Sequence, residues 1–154
     1  MSAESLSRID FYVVSDSYSN ARHLFVCRLA EKIYRLGHKV FIRTSTPSEA
    51  TELDALMWTF RVGSFLPHSL TGMDAETPMS PLLIGHQEGP ECSADLLINL
   101  APSVPSAFRQ YQRVAEIVDQ DAAVKEAGRQ RYRFYRDQGF TVDTHAVSVS
   151  SSDE

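Results

Sequence analysis

The chain has 154 residues and a formal net charge of −5, and 43% of its residues are hydrophobic. This length predicts one domain, and this share of hydrophobic residues supplies a core and excludes general disorder. The negative net charge argues against a protein that coats nucleic acid non-specifically.

Cysteine usage and hydropathy argue against three further classes of protein: disulfide-rich, zinc-binding and membrane proteins. Cys27 and Cys92 are far apart and outside any CxxC spacing, so a disulfide framework and a structural zinc site are not expected. The first residues have no apolar core of a signal peptide, and no apolar run approaches the length that spans a membrane. We therefore expect a cytoplasmic protein without membrane contact.

Strands and helices alternate through the first half of the chain. Residues 9–14 are rich in β-branched and aromatic side chains and predict a strand, and Val40–Arg43 predicts a second one. Apolar residues at helical spacing predict a helix over residues 21–36 between them. A second helix is predicted to begin at Thr46 as N-cap, with Pro47 at its first position and Glu49 completing a capping box.

The second half gives weaker signals until its last helix. Residues 82–84 and 95–100 predict strands, and for residues 113–118 we favour a strand over a helix. Residues 121–138 predict a long helix, capped by Asp119 or Asp121 and ended by Gly139. We expect the folded domain to comprise residues 1–145 and residues 146–154 to form a disordered polar tail.

The alternation predicts an α/β fold: a single domain with a largely parallel sheet flanked by helices. Such folds bind nucleotides after the first strand, but residues 15–20 contain no glycine that would let the backbone close on phosphates. No GxGxxG, GxxxxGK[ST], GxSxG or HExxH motif is present. We expect a nucleotide-binding type of fold without the phosphate loop, with no catalytic residues, no metal site and no cofactor. A cryptic nucleotide-binding module remains the alternative.

The last predicted helix carries a basic stripe. Lys125, Arg129, Tyr132 and Arg136 fall within about 60° of one another around the helix axis, and Arg133 flanks them. The opposite, sheet-facing side is expected to contain Val124, Ala127, Phe134 and Tyr135, with Arg131 at or near it. Arginine beside a tyrosine suits an acidic peptide that ends in an apolar residue and a carboxylate. The alternatives are a solvated helix face and direct binding of single-stranded DNA through phosphates and stacking.

Three motifs follow one another along the chain in an informative order. Phe65-Leu66-Pro67-His68 comes shortly after Trp58, Asp95-Leu96-Leu97-Ile98-Asn99-Leu100 follows, and Arg129-Gln130-Arg131-Tyr132 leads through Tyr135-Arg136 to Gly139-Phe140. Together they resemble the chi subunit family of bacterial DNA polymerase III over about residues 8–144.

This resemblance implies an accessory subunit of the clamp-loader assembly with no active site. One surface would bind the psi subunit, or an accessory helicase in its place, and another the acidic C-terminal tail of single-stranded DNA-binding protein (SSB). Contact with DNA would be only indirect, through SSB.

The resemblance also implies positions for the two surfaces. The psi-binding residues would be Trp58, Phe65, Pro67 and His68. The SSB-tail site would include Val118, Arg129, Tyr132 and Gly139. From the basic stripe we add Lys125, Arg133 and Arg136 as side chains that attract the acidic residues of the tail.

Overall fold

The computed structural model describes residues 8–16, 20–60, 68–70, 82–86, 95–105 and 108–149. Three helices lie in this part of the chain: α1 (Ala21–Arg35), α2 (Pro47–Thr59) and α3 (Ala122–Asp137). The strands are β1 (Arg8–Val14), β2 (Val40–Arg43), β3 (His68–Leu70), β4 (Leu82–Gly85), β5 (Leu96–Asn99), β6 (Arg113–Val118) and β7 (Val142–Val147). A short 3₁₀ turn spans Phe108–Gln110.

The strands form one sheet in the order β3-β4-β2-β5-β6-β1-β7, and every pairing between neighbours is parallel. All residues of β2, β4 and β5 are buried, as expected for central parallel strands with both faces covered. The predicted α/β fold with a parallel sheet and flanking helices is confirmed.

Two hydrophobic clusters lie on opposite faces of the sheet. The α1 and α2 face contains Val26, Leu53 and Met57 against Ile42 and Ile117 of the sheet. The α3 face holds a second set in which aromatic rings predominate: Phe11, Phe41, Phe108, Tyr111 and Tyr135. Alternation along each strand therefore sends neighbouring residues into different clusters.

The predicted start of α2 is confirmed with one difference. Thr46 Oγ1 accepts a hydrogen bond from the Glu49 N–H at 3.0 Å, and Pro47 occupies the first helical position. The Glu49 carboxylate, however, does not return to the Thr46 N–H as a standard capping box would. It accepts from the backbone N–H and the hydroxyl of Ser45, at 2.8 and 3.0 Å.

The end of the chain differs from the sequence prediction. Residues 113–118 form the favoured strand β6, but β7 was not predicted, and the boundary expected after residue 145 falls inside it. The sequence of β7 has no buried alternating pattern, because Asp143, Thr144 and Ala146 are exposed. The strand nevertheless pairs with β1 in the sheet. Val149 is only 3% exposed and donates its N–H to Asp16 Oδ1 at 2.7 Å, so the folded part extends at least to Val149.

Glu49 connects α2 to α1 through charge. Its Oε2 lies 2.8 Å from His23 Nε2 and 3.6 Å from an Arg22 guanidinium nitrogen. Burial disfavours the ionised carboxyl most strongly, but the hydrogen bonds from His23 and Ser45 and the charge of Arg22 outweigh it. Together they lower the pKa of Glu49 to about 2. The ionised form therefore contributes to stability.

We expect Glu49→Gln to lower the free energy of unfolding at pH 7 by about 2 kcal/mol. Because the folded-state pKa lies below the ordinary 4.5, the contribution of Glu49 is complete above pH 4.5 and disappears as the pH falls toward 2. The variant should therefore lose less stability than the wild type over that range. Urea unfolding at a series of pH values measures both effects.

Glu52→Gln is the matched control, since Glu52 is exposed on the same helix. Its stability should stay close to that of the wild type at every pH. Parallel acid profiles for Glu49→Gln and the wild type would contradict the prediction.

Candidate functional site

Helix α3 has strong signals at both ends. The Asp121 carboxylate accepts from the N–H groups of Ala123 and Val124, both at 3.1 Å, and so caps the first turn. At the other end Gly139 has φ +95°, its N–H reaches Arg136 O, and the N–H of Phe140 reaches Tyr135 O. These two bonds make a Schellman motif, which explains why a glycine stands there. The helix bounds predicted from sequence are confirmed to within one residue at each end.

A cavity of about 290 Å³ lies between α3 and the β1, β6 and β7 strands. Phe11, Val13 and Val118 form its apolar floor, and Thr144 lies at the margin on β7. The α3 side consists of Lys125, Gly128, Arg129, Tyr132 and Arg133. The cavity therefore has an apolar interior with a cationic rim on one side.

Five of the seven residues expected at the SSB-tail site line this cavity. They are Val118, Lys125, Arg129, Tyr132 and Arg133. Arg136 does not line it, but its guanidinium lies 5.8 Å from the Tyr132 ring centroid. Gly139 ends the helix and is not part of the cavity wall.

Several lining residues were not recognised from the sequence. Phe11, Val13 and Thr144 come from β1 and β7, which the sequence alone does not bring next to α3. The Phe11 ring lies 5.5 Å from the Tyr132 ring in an edge-on arrangement, so it supports the tyrosine from below. The alternation of β1 was the available signal, because it places Phe11 and Val13 on one face of the strand.

A buried polar network sets the rotation of α3. The Glu116 carboxylate on β6 is fully buried and accepts from Arg131 Nε at 2.8 Å and from the Tyr135 hydroxyl at 2.6 Å. The Asn99 amide of β5 donates to both of its oxygens at 3.1 Å. Burial, and next the adjacent Glu116 charge, raises the pKa of Tyr135, so its hydroxyl remains a donor. The expectation that Arg131 lies near the sheet is confirmed.

The expected position of Phe134 is wrong. Its side chain is 39% exposed, and the buried residues of α3 are Gly128, Arg131 and Tyr135. Since Arg131 and Tyr135 are directed at Glu116, Phe134 is turned aside and packs edge-on against Phe108 at 5.8 Å. Arg131 was therefore a better indicator than Phe134 of which side of α3 faces the sheet.

Gly128 permits the close approach of α3 to β6. A Cβ atom at this position would lie 2.7 Å from Val118 Cγ1, a distance that real contacts do not reach. Any larger residue would have to displace Val118 or the helix. Gly128 therefore contributes to the shape of the cavity on its β6 side.

A second cavity, of about 220 Å³, lies in the crevice where related folds bind nucleotides, and Arg22 lines it. Arg22, at the start of α1, donates to the carbonyl oxygens of Leu100 and Ile117 at 3.2 and 3.4 Å. Its guanidinium also lies 3.6 Å from Glu49 and 3.8 Å from Asp119. These two carboxylates would repel the phosphates of a nucleotide.

The residues expected to bind psi are only partly described. Trp58 lies in the last turn of α2 and is 52% exposed. His68 begins β3, and Phe65 and Pro67 lie outside the described residues. The structure therefore places one large aromatic side chain of this set at the surface.

The described residues contain neither a cluster of metal-ligating side chains nor a membrane-spanning helix. Among them, no group of three or more His, Cys, Asp or Glu side chains is arranged to hold a metal ion. No helix in the same part of the chain is both long enough and apolar enough to cross a membrane.

Comparison with solved structures defines the class of fold. The chain superposes on the C-terminal domain of the DEAD-box protein Dbp5 with a TM-score of 0.57, covering 96% of this chain and 92% of that chain. The two sequences are 12% identical, so this likeness shows a shared α/β fold.

Sequence comparison gives the family. The family model described as DNA polymerase III chi subunit, HolC, matches residues 6–143. The DNA polymerase III subunit chi of Pseudomonas aeruginosa is 40% identical over 92% of this chain and 98% of its own length. The subunits of the same name from Haemophilus influenzae and Escherichia coli are 30% and 29% identical, over 89% and 77% of this chain and 95% and 81% of their own lengths. The chain belongs to the DNA polymerase III chi subunit family.

We expect Gly128→Ala to destabilise the domain by about 1–2 kcal/mol, although alanine is the better helix former by about 1 kcal/mol. The cause is the clash of the new methyl group with Val118 Cγ1. Chemical denaturation measures the change in the free energy of unfolding.

The double variant Gly128→Ala/Val118→Ala tests that cause, because it removes the clashing methyl group. Its destabilisation should be clearly smaller than the sum of the two single effects. Additive effects, or a stabilising Gly128→Ala, would contradict the close-approach explanation.

Proposed function

We propose that this chain is a non-catalytic accessory subunit of the bacterial DNA polymerase III holoenzyme, located in the cytoplasm and associated with the clamp loader. It links the replicase, through psi, to the acidic C-terminal tail of SSB during DNA replication. The observation that carries the proposal is the apolar cavity with a cationic rim along α3.

The chemistry of the cavity fits the end of an acidic peptide. Arg129 is 60% exposed at the rim, where its planar guanidinium can take a terminal carboxylate through two hydrogen bonds. Val118 and Tyr132 enclose the space for an apolar last side chain. A cavity of about 150 Å³ accommodates a benzene ring, so about 290 Å³ suffices for an aromatic side chain and part of its neighbour.

The rest of the stripe supplies attraction at longer range. Lys125, Arg133 and Arg136 carry positive charge on the same side of α3 in a protein whose net charge is −5. A local cationic field raises the association rate of an acidic ligand and weakens with salt. A few charges on one helix suit a compact acidic tail better than an extended nucleic acid.

A second surface would connect the subunit to its own assembly. Trp58 is exposed at the end of α2, on the helix that packs against β3 and β4 at the edge of the sheet away from α3. Tryptophan is among the residue types that most often dominate the binding energy at protein interfaces. With Phe65, Pro67 and His68 it would receive a hydrophobic segment of psi, or an accessory helicase in its place.

We expect Arg129→Ala to weaken binding of a peptide of the cognate SSB C-terminus at least tenfold without unfolding the domain. Arginine and carboxylate would no longer pair, and the exposed position should tolerate alanine. Isothermal titration measures the dissociation constant, and the same peptide without its last residue should not bind. Higher salt should weaken wild-type binding.

Lys39→Gln is the charge-matched control, because Lys39 lies before β2 and is exposed. Its affinity should match that of the wild type. Unchanged binding in Arg129→Ala would refute the proposed site. A thermal shift with nucleotides, or tight binding of single-stranded DNA without SSB, would favour the alternative functions.

We expect Trp58→Ala to weaken binding of psi at least tenfold while leaving the SSB-tail peptide affinity unchanged. The two surfaces lie on different helices, so their effects should separate. Biolayer interferometry with immobilised psi, beside the peptide titration, measures both. Equal losses for both ligands would indicate damage to the fold, and an unchanged psi affinity would remove Trp58 from that surface.

A further inference from the structure

Arg129 already has a carboxylate partner in the free protein. Its Nη1 atom lies 3.2 Å from Glu126 Oε1, one helical turn earlier on α3. The other oxygen of Glu126 is 3.4 Å from the Gln130 amide nitrogen, which holds the carboxylate along the helix. A carboxylate that binds the guanidinium through two hydrogen bonds, one of them at Nη1, would displace Glu126 from that atom.

The charges on α3 make Glu126 distinctive. Lys125, Arg129 and Arg133 line the cavity, and Lys125 Nζ is 3.4 Å from the neutral Gln120 side chain. Glu126 brings a negative charge next to Arg129 of this rim, whereas Asp137 lies about two helical turns beyond Arg129. An acidic peptide at the cavity would meet Glu126 as a like charge.

We propose that Glu126 is an affinity-setting residue of this site, and that its carboxylate competes with the terminal carboxylate of the acidic peptide for Arg129. The inference rests on the proposed function, since it takes the same ligand class at the same cavity. Exchanging one carboxylate for another at Arg129 contributes little net binding free energy. The apolar last residue of the peptide, buried on Phe11, Val13 and Val118, contributes most of it. Ligands that offer charge alone remain weak.

The competition is modest because both groups are exposed. The side chains of Glu126 and Arg129 are 54% and 60% exposed, and exposed ion pairs at this spacing are weak. The pair is therefore easily opened, and Glu126 lowers affinity without blocking the site. The repulsion that remains after displacement acts on the acidic residues of the ligand and is screened by salt.

The test compares Glu126→Gln with Asp137→Asn, which removes the same charge from the same helix about two turns beyond Arg129. Isothermal titration with the SSB C-terminal peptide should show the dissociation constant falling about threefold to fivefold in Glu126→Gln. Asp137→Asn should change it less than twofold. With a C-terminally amidated peptide, which lacks the competing carboxylate, the gain in Glu126→Gln should be clearly smaller.

The same substitution in an Arg129→Ala variant tests whether Arg129 is the group for which the two carboxylates compete. In Arg129→Ala, adding Glu126→Gln should improve peptide binding far less than it does beside an intact Arg129. An equal gain in both backgrounds, or an equal gain for Glu126→Gln and Asp137→Asn, would overturn the inference. In either case wild-type binding and its loss in Arg129→Ala would leave the proposed function standing. A wild type that binds no peptide would refute both.

Discussion

The Glu116 carboxylate holds the α3 side of the domain in one arrangement. It is fully buried and accepts hydrogen bonds from Arg131 and Tyr135 of α3 and from Asn99 of β5. Leaving a buried charge without its partner costs about 3–5 kcal/mol, so any rotation of α3 that moves Arg131 away is strongly disfavoured. Arg131 and Tyr135 are one turn apart on the helix, and fixing both fixes the direction of every other side chain on it. Lys125, Arg129 and Tyr132 of the basic stripe line the cavity because Arg131 and Tyr135 face the sheet.

The candidate site lies away from the usual crevice of this fold class. Open parallel sheets bind ligands beyond the carboxyl ends of their strands. Here that region holds a smaller cavity lined by Arg22, whose guanidinium is bonded to backbone carbonyls and accompanied by Glu49 and Asp119. The candidate site instead uses the side of α3 and the strands β1 and β7 at the margin of the sheet. A fold shared with other proteins thus carries a different kind of surface.

Signals that act over a few residues could be predicted from the sequence. The capping of α2 by Thr46 and Pro47, the buried run of β2 and the glycine that ends α3 are all decided by neighbouring residues. The stripe on α3 follows from helical spacing alone. β7 could not be predicted in this way, because its exposed residues give no alternating pattern and its partner strand β1 lies at the other end of the chain. The domain boundary was placed too early for that reason.

The floor of the cavity could not be predicted from the sequence either, because it brings together residues that are distant in the chain. Phe11 and Tyr132 are in edge-on contact although more than a hundred residues separate them in the chain. A basic stripe without this floor would be an ordinary solvated helix face, which sequence reasoning could not exclude. Charge alone attracts any anion and is screened by salt, whereas an apolar cavity of defined volume accepts only certain side chains. Selectivity at such a site depends on the apolar floor, and that floor exists only after the sheet has formed.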